Sequence, residues 1–102
     1  MVRKNVTGIT YGSVYINPNY HIPLSQTYAI ITNLEANTIQ INLKLQNAAA
    51  VTTHYIIPRD LSLSAYDSLE FPDERVLMAN DRYILTPTGS VDYNFNFVGD
   101  DQ

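Results

Sequence analysis

Residues 91–98 read VDYNFNFV, and their alternation decides the fold. In an extended chain successive side chains point to opposite faces, so Val91, Tyr93, Phe95 and Phe97 share one side while Asp92, Asn94 and Asn96 share the other. One side wants a core and the other wants water. Residues 38–46, TIQINLKLQ, repeat the arrangement: Ile39, Ile41, Leu43 and Leu45 fall on one face, Thr38, Gln40, Asn42, Lys44 and Gln46 on the other. The first segment carries the heaviest apolar face in the chain and is expected across the middle of a sheet, opposite or beside the second.

Working outward, strand signals recur at short, fairly even spacing. Residues 13–17 (SVYIN) form a short strand stopped by Pro18, and the run to Pro23 can hardly be regular structure. Residues 27–34 (TYAIITNL) follow, with Ile30 and Ile31 on opposite faces. The link Glu35, Ala36, Asn37 is short enough for a hairpin into residues 38–46. After the flexible-looking QNAAAV come residues 52–57 (TTHYII), ended by Pro58, then 60–64 (DLSLS) and 68–71 (SLEF), with FPD as a turn. Residues 73–81 (DERVLMAND) start with two acids and contain good helix formers. A helix this short is marginal in water, however, so packing against sheets favours a strand. Residues 82–86 (RYILT) stop at the turn PTGS. The expectation is an all-β, antiparallel β-sandwich, Ig-like or jelly-roll-like, of about eight short strands in one domain spanning residues 1–102, with flexible arms at 1–10 and 99–102.

Composition bounds the function. A chain of 102 residues buries about 60 to 70% of the surface it exposes when unfolded, enough for one core. Charged residues make up only 16%, against about 25% in ordinary domains. The polar surface therefore comes from Asn, Thr, Gln, Ser and the eight Tyr, groups that are cheaper to desolvate against a neighbour than ionised ones. The net charge of −4, with Arg3, Lys4, Lys44, Arg59, Arg75 and Arg82 scattered, argues against a nucleic-acid surface. Without cysteine, neither a disulfide nor a thiolate zinc site can form, which fits synthesis in a reducing cytoplasm. The first ten residues lack the apolar run of a signal peptide, and no stretch is long and apolar enough to be a membrane helix.

Chemistry is sparse. A catalytic nucleophile needs a base and an orienting group, yet His21 sits in a Pro-flanked loop and His54 in a strand, and GxSxG is absent. Asp67, Glu70, Asp73 and Glu74 cluster in DSLEFPDE without the glycine or the alternation of a calcium loop, so they read as a solvated turn. Asn5, Val6 and Thr7 match a glycosylation sequon, which matters only in a secreted chain. Aromatic residues in alternating strand positions are core first and binding platform second. The residues thus suggest no enzyme, no catalytic or metal site and no cofactor.

The second half, through IIPRDLSLSAYDSLEF (56–71), RVLMANDRYIL (75–85) and SVDYNFNF (90–97), resembles a group of small virion-associated β-sandwich proteins of tailed bacteriophages, usually carried beside head and tail genes. SVYINP (13–18) and TYAIITNLEANT (27–38) agree more loosely. Turns of that group tend to use Gly where this chain has Tyr66 and Asn80, which puts the turn at Tyr66 and the register after it in question. The resemblance implies a non-enzymatic structural component of a bacteriophage virion: a small multi-copy accessory protein made in the host cytoplasm and attached to capsid, neck or tail. Its partners would be copies of itself and other virion proteins. An alternative is a carbohydrate- or receptor-binding module meeting a host-surface glycan, with Tyr11, Tyr15, Tyr20 and Tyr66 exposed.

Overall fold

The computed structural model describes residues 1–18, 21–47, 53–71 and 75–100. Within them the chain forms ten strands and no helix: β1 (Val2–Thr10), β2 (Val14–Ile16), β3 (Leu24–Asn33), β4 (Ile39–Gln46), β5 (Thr53–Tyr55), β6 (Leu61–Leu63), β7 (Ser68–Phe71), β8 (Arg75–Leu77), β9 (Arg82–Pro87) and β10 (Val91–Gly99). One sheet, sheet A, runs β1-β10-β3, with β7 and β8 end to end along the far edge of β3. The other, sheet B, runs β2-β9-β4, with β6 and β5 end to end along β4. Every ladder is antiparallel, and the chain crosses between the sheets repeatedly as it runs from β1 to β4 and from β8 to β10. This two-sheet order is the jelly roll of the two architectures expected.

The alternating segments that decided the fold occupy corresponding places. β10 lies inside sheet A between β1 and β3, and β4 lies inside sheet B between β9 and the short pair β5 and β6. Val91, Phe95, Phe97, Ile41 and Leu43 are fully or almost fully buried. Phe95 is the aromatic centre: its ring lies 5.4 Å from that of Tyr83 and 6.5 Å from that of Phe71, and Phe97 stacks on Tyr83 at 6.5 Å. Such offset contacts each add about 0.5 to 1.5 kcal/mol to simple burial.

Three expectations are corrected. The link after residue 34 is not a hairpin, because β3 belongs to sheet A and β4 to sheet B. The chain changes layer there, since both strands carry apolar faces that must look at each other rather than lie side by side. Residues 1–10 are not an arm: Val2–Thr10 is a nine-residue strand paired along its length with β10. Its Lys4, Val6 and Gly8 face inward, and Gly8 leaves room for the Tyr93 side chain, whose hydroxyl would lie 2.8 Å from a Cβ there. Among the described residues of 73–81, Arg75–Leu77 is strand, as expected over a helix, and a turn follows at Ala79 and Asn80. Gly99 ends β10 rather than starting an arm. The FPD turn, most of the QNAAAV run and residues 101–102 lie outside the described residues.

Two buried polar side chains hold the layers together. Asn33, fully buried, ends β3; its amide donates to the carbonyls of Asn37 (2.9 Å), Leu63 (3.1 Å) and Ser64 (3.0 Å), and its Oδ1 accepts from the Glu35 amide (2.8 Å). This one side chain pins the sheet-to-sheet link against the β6–β7 turn. Asn33→Ala orphans three carbonyls and an amide, and the expected loss is about 2 to 4 kcal/mol in urea unfolding. A loss below about 0.5 kcal/mol would show that the link holds itself.

The second is Gln26, whose Oε1 accepts from the Tyr83 hydroxyl across the core. Burial pushes the Tyr83 phenol from 10.0 up to about 12, with Arg75 partly opposing. A raised phenol favours the neutral form in the fold, so its contribution is complete below pH 10 and is lost as pH climbs from 10 to 12. Stability is expected to fall over that window by up to roughly 2 to 3 kcal/mol. In Tyr83→Phe that alkaline slope flattens.

The turn before β7 keeps the left-handed conformation that glycine would favour. Tyr66 has φ +58° and Asn80 φ +67°, a region that costs a side chain about 1 kcal/mol or more unless it is Asn or Asp. Tyr66 accepts that strain as a residue 67% exposed, and β7 still pairs with β3 from Ala29↔Phe71 to Thr32↔Ser68. Tyr66→Gly is expected to raise stability by about 1 kcal/mol, read as a higher melting temperature.

Candidate interaction surfaces

Among the described residues, those weighed for chemistry do not converge. His21 and His54 are both exposed, in a bend and on the short strand β5 respectively. Asp67 lies in the turn before β7, where its Oδ1 accepts from the Ser68 amide at 2.9 Å, and Glu70 points outward from β7 beside Tyr28. Burial first, then the charge and hydrogen bond of Glu70, push the Tyr28 phenol up. Asp73, Glu74 and Tyr20 lie outside the described residues. Among the described residues no three His, Asp or Glu side chains come together as a metal site would require. Tyr11, Tyr15 and Tyr66 are all exposed, but they stand on the β1–β2 loop, on β2 and in the β6–β7 turn.

What the fold assembles instead is two broad sheet faces. The outer face of sheet A collects the polar alternates of β1, β10 and β3, so amides and hydroxyls meet across strands. Asn5 Nδ2 donates to Asn94 Oδ1 at 2.6 Å and to Asn96 Oδ1 at 2.7 Å, and the Thr32 and Ser68 hydroxyls bond at 2.8 Å. Asn5, the sequon residue, is thereby tied into this lattice. A register shift between Asn96 and Phe97 opens a groove of about 310 Å³ lined by Arg3, Asn5, Tyr28 and Asn96, among others.

The outer face of sheet B is built differently. Arg82 lies 3.9 Å over the Tyr15 ring and donates from Nε to Gln46 Oε1 at 2.8 Å. Lys44 and Arg59 stand 5.3 and 4.8 Å from the centre of the Tyr55 ring. Ile84 lies between Tyr15 and Lys44 in the ladder and lines a recess of about 240 Å³ with Ser13, Val14 and Tyr15. Sequence reading treated these cations as scattered, because Lys44, Arg59 and Arg82 are far apart along the chain. Strand register brings Lys44 and Arg82 onto one face, and the β5–β6 turn sets Arg59 over Tyr55 beside them. Their alternation with inward-facing residues was the available signal, but which strands would be neighbours was not.

No family model and no curated protein matches this chain. Among solved structures it is similar to the Drosophila NLP core, a crystal structure described as giving insight into pentamer formation and histone binding. That likeness has 12% identity and a TM-score of 0.62, and it covers 98% of this chain and 100% of the other. The chain is also similar to one in the structure of infectious bursal disease virus, Gx strain, with 11% identity and a TM-score of 0.52, covering 92% of this chain. It spans only 28% of that viral chain's length. At these identities the likeness is one of fold: a β-sandwich shared with a pentamer-forming protein and with part of a viral chain.

Proposed function

We propose that this chain is a non-enzymatic structural component of a bacteriophage virion, a small accessory subunit present in many copies and attached to capsid, neck or tail. The observation that carries the reading is the outer face of sheet A, where Asn5, Asn94, Asn96, Thr32 and Ser68 satisfy one another across strands. A face whose polar groups are already paired loses little when a neighbour displaces its water, which suits repeated contact between subunits. The fold likenesses to a pentamer-forming core and to a chain of a virus structure support it, as does the resemblance to phage virion proteins.

The test is light scattering behind size exclusion, with and without the particle. A defined oligomer, or saturable binding to virions that lack the protein, is the expected result; a monomer that does not bind particles would sink it. The groove beside Tyr28 favours one further reading. An aromatic ring with the Asn5 and Asn96 amides nearby suits a sugar hydroxyl edge, so host-surface glycans are its candidate ligands. A glycan array that stays blank would remove this alternative.

A further inference from the structure

We propose that the outer face of sheet B is the docking surface for a second copy of this chain, which presents the acidic half of its own sheet A. The inference rests on the multi-copy reading and names the surfaces that would carry it. Lys44 and Arg82 project from the outer face of sheet B and Arg59 joins them from the β5–β6 turn, in a chain whose net charge is −4, while the neighbouring Asp60 carboxylate is bonded to the Asn42 side chain. Within the chain the three cations are held by Tyr55, Tyr15 and Gln46, with no carboxylate among those partners. A cation stacked on an aromatic ring is fixed in position yet keeps its charge for a partner, and fixing it in advance lowers the ordering cost of binding. Exposed Tyr15 and half-buried Ile84 supply the apolar area beside these cations.

The complement is on sheet A. Ladder register places Asp92 beside Ile9 and Thr32, and Glu70 beside Ile30. Two carboxylates thus stand among the apolar side chains of Ile9 and Ile30 on one half of that outer face, while Arg3 lies toward the other end, opposite Val98. Cation, ring and isoleucine on one face meet carboxylate and isoleucine on the other. The two faces lie on opposite sides of the sandwich, so the contact is heterologous: each copy offers one face to each of two neighbours, and repetition closes a ring or extends a stack. The 46 × 28 × 20 Å extents leave room for the roughly 800 Å² per partner that a stable interface needs. Symmetric pairing of sheet B with sheet B would set cations against cations and is disfavoured.

The test uses the full chain and two double variants, Arg59→Glu/Arg82→Glu on sheet B and Glu70→Arg/Asp92→Arg on sheet A, each confirmed folded by its thermal melt. Wild type should assemble at low salt and dissociate toward monomer at about 1 M salt, where the screening length is roughly 3 Å. Each variant alone should associate at least about tenfold more weakly. Mixed one to one they should reassociate, because each retains the face the other lacks and the reversed charges match. If wild type assembles but both variants assemble equally well, or if their mixture stays monomeric, the face assignment is overturned while self-association stands. A wild type that is monomeric at every concentration overturns both.

Discussion

A chain that begins at Tyr11 is expected to lose its cooperative unfolding transition altogether. Residues 1–10 look expendable in the sequence, yet β1 pairs with β10 over nine residues, from Val2↔Gly99 to Thr10↔Val91. Removing it strips one of the two backbone partners from the strand that carries Phe95 and Phe97, turning β10 into a sheet edge, and it uncovers the core beside Val6. It also deletes the Thr7 hydroxyl's bond to the Tyr93 carbonyl and the Asn5 bonds to Asn94 and Asn96. A domain of this size has only about 5 to 15 kcal/mol in hand, while burying a single Val-sized side chain is worth about 1.5 to 3 kcal/mol. The loss of an entire edge strand therefore exceeds the margin. Circular dichroism and urea titration of the shortened chain decide it: a transition with an unchanged midpoint would mean that residues 1–10 behave as an arm after all.

Phe95→Ala should cost about 3 to 5 kcal/mol. Phe95 is fully buried at the point where β10 crosses the sandwich, touching rings from both sheets: Phe71 on β7 and Tyr83 on β9. Ala29 opposite it on β3 and Val6 on β1 are too small to close the cavity without moving their ladders. The expected readout is a urea midpoint lowered with little change in slope. Phe95→Leu, which keeps most of the volume, should recover more than half of the loss. If alanine and leucine behaved alike, ring packing across the sandwich would not be what holds the sheets together.

The elements that were legible share one property: their signal is local. Val91, Tyr93, Phe95 and Phe97 announce a buried face because alternation needs no knowledge of the rest of the chain. The same holds for Ile39, Ile41, Leu43 and Leu45, all on the inner side of β4. The residues that escaped are those whose meaning depends on a partner. Asn33 sits in TYAIITNL as one more polar letter, and only the meeting of the β3 end with the β6–β7 turn makes it a four-bond hub. β1 escaped because VRKNVTGIT alternates weakly and carries its two cations at the start, so nothing local marks it as half of the longest ladder with β10. The hairpin expected after residue 34 failed because a three-residue link can as well join strands in different layers.

By itself, then, the sequence determined that this is an all-β chain, which residues of β4 and β10 are buried, and that its surface is rich in amides and hydroxyls and poor in charge. Those properties follow from composition and from the two-residue period of the extended backbone. Only the tertiary structure decided that the sandwich is a jelly roll, that the first ten residues belong to its sheet, and that Lys44 and Arg82 share a face with Tyr15 and Tyr55, with Arg59 beside them. The reason is that neighbourhood across a ladder is set by which strands pair and in what register, an outcome of burying all the apolar faces at once that no single segment encodes.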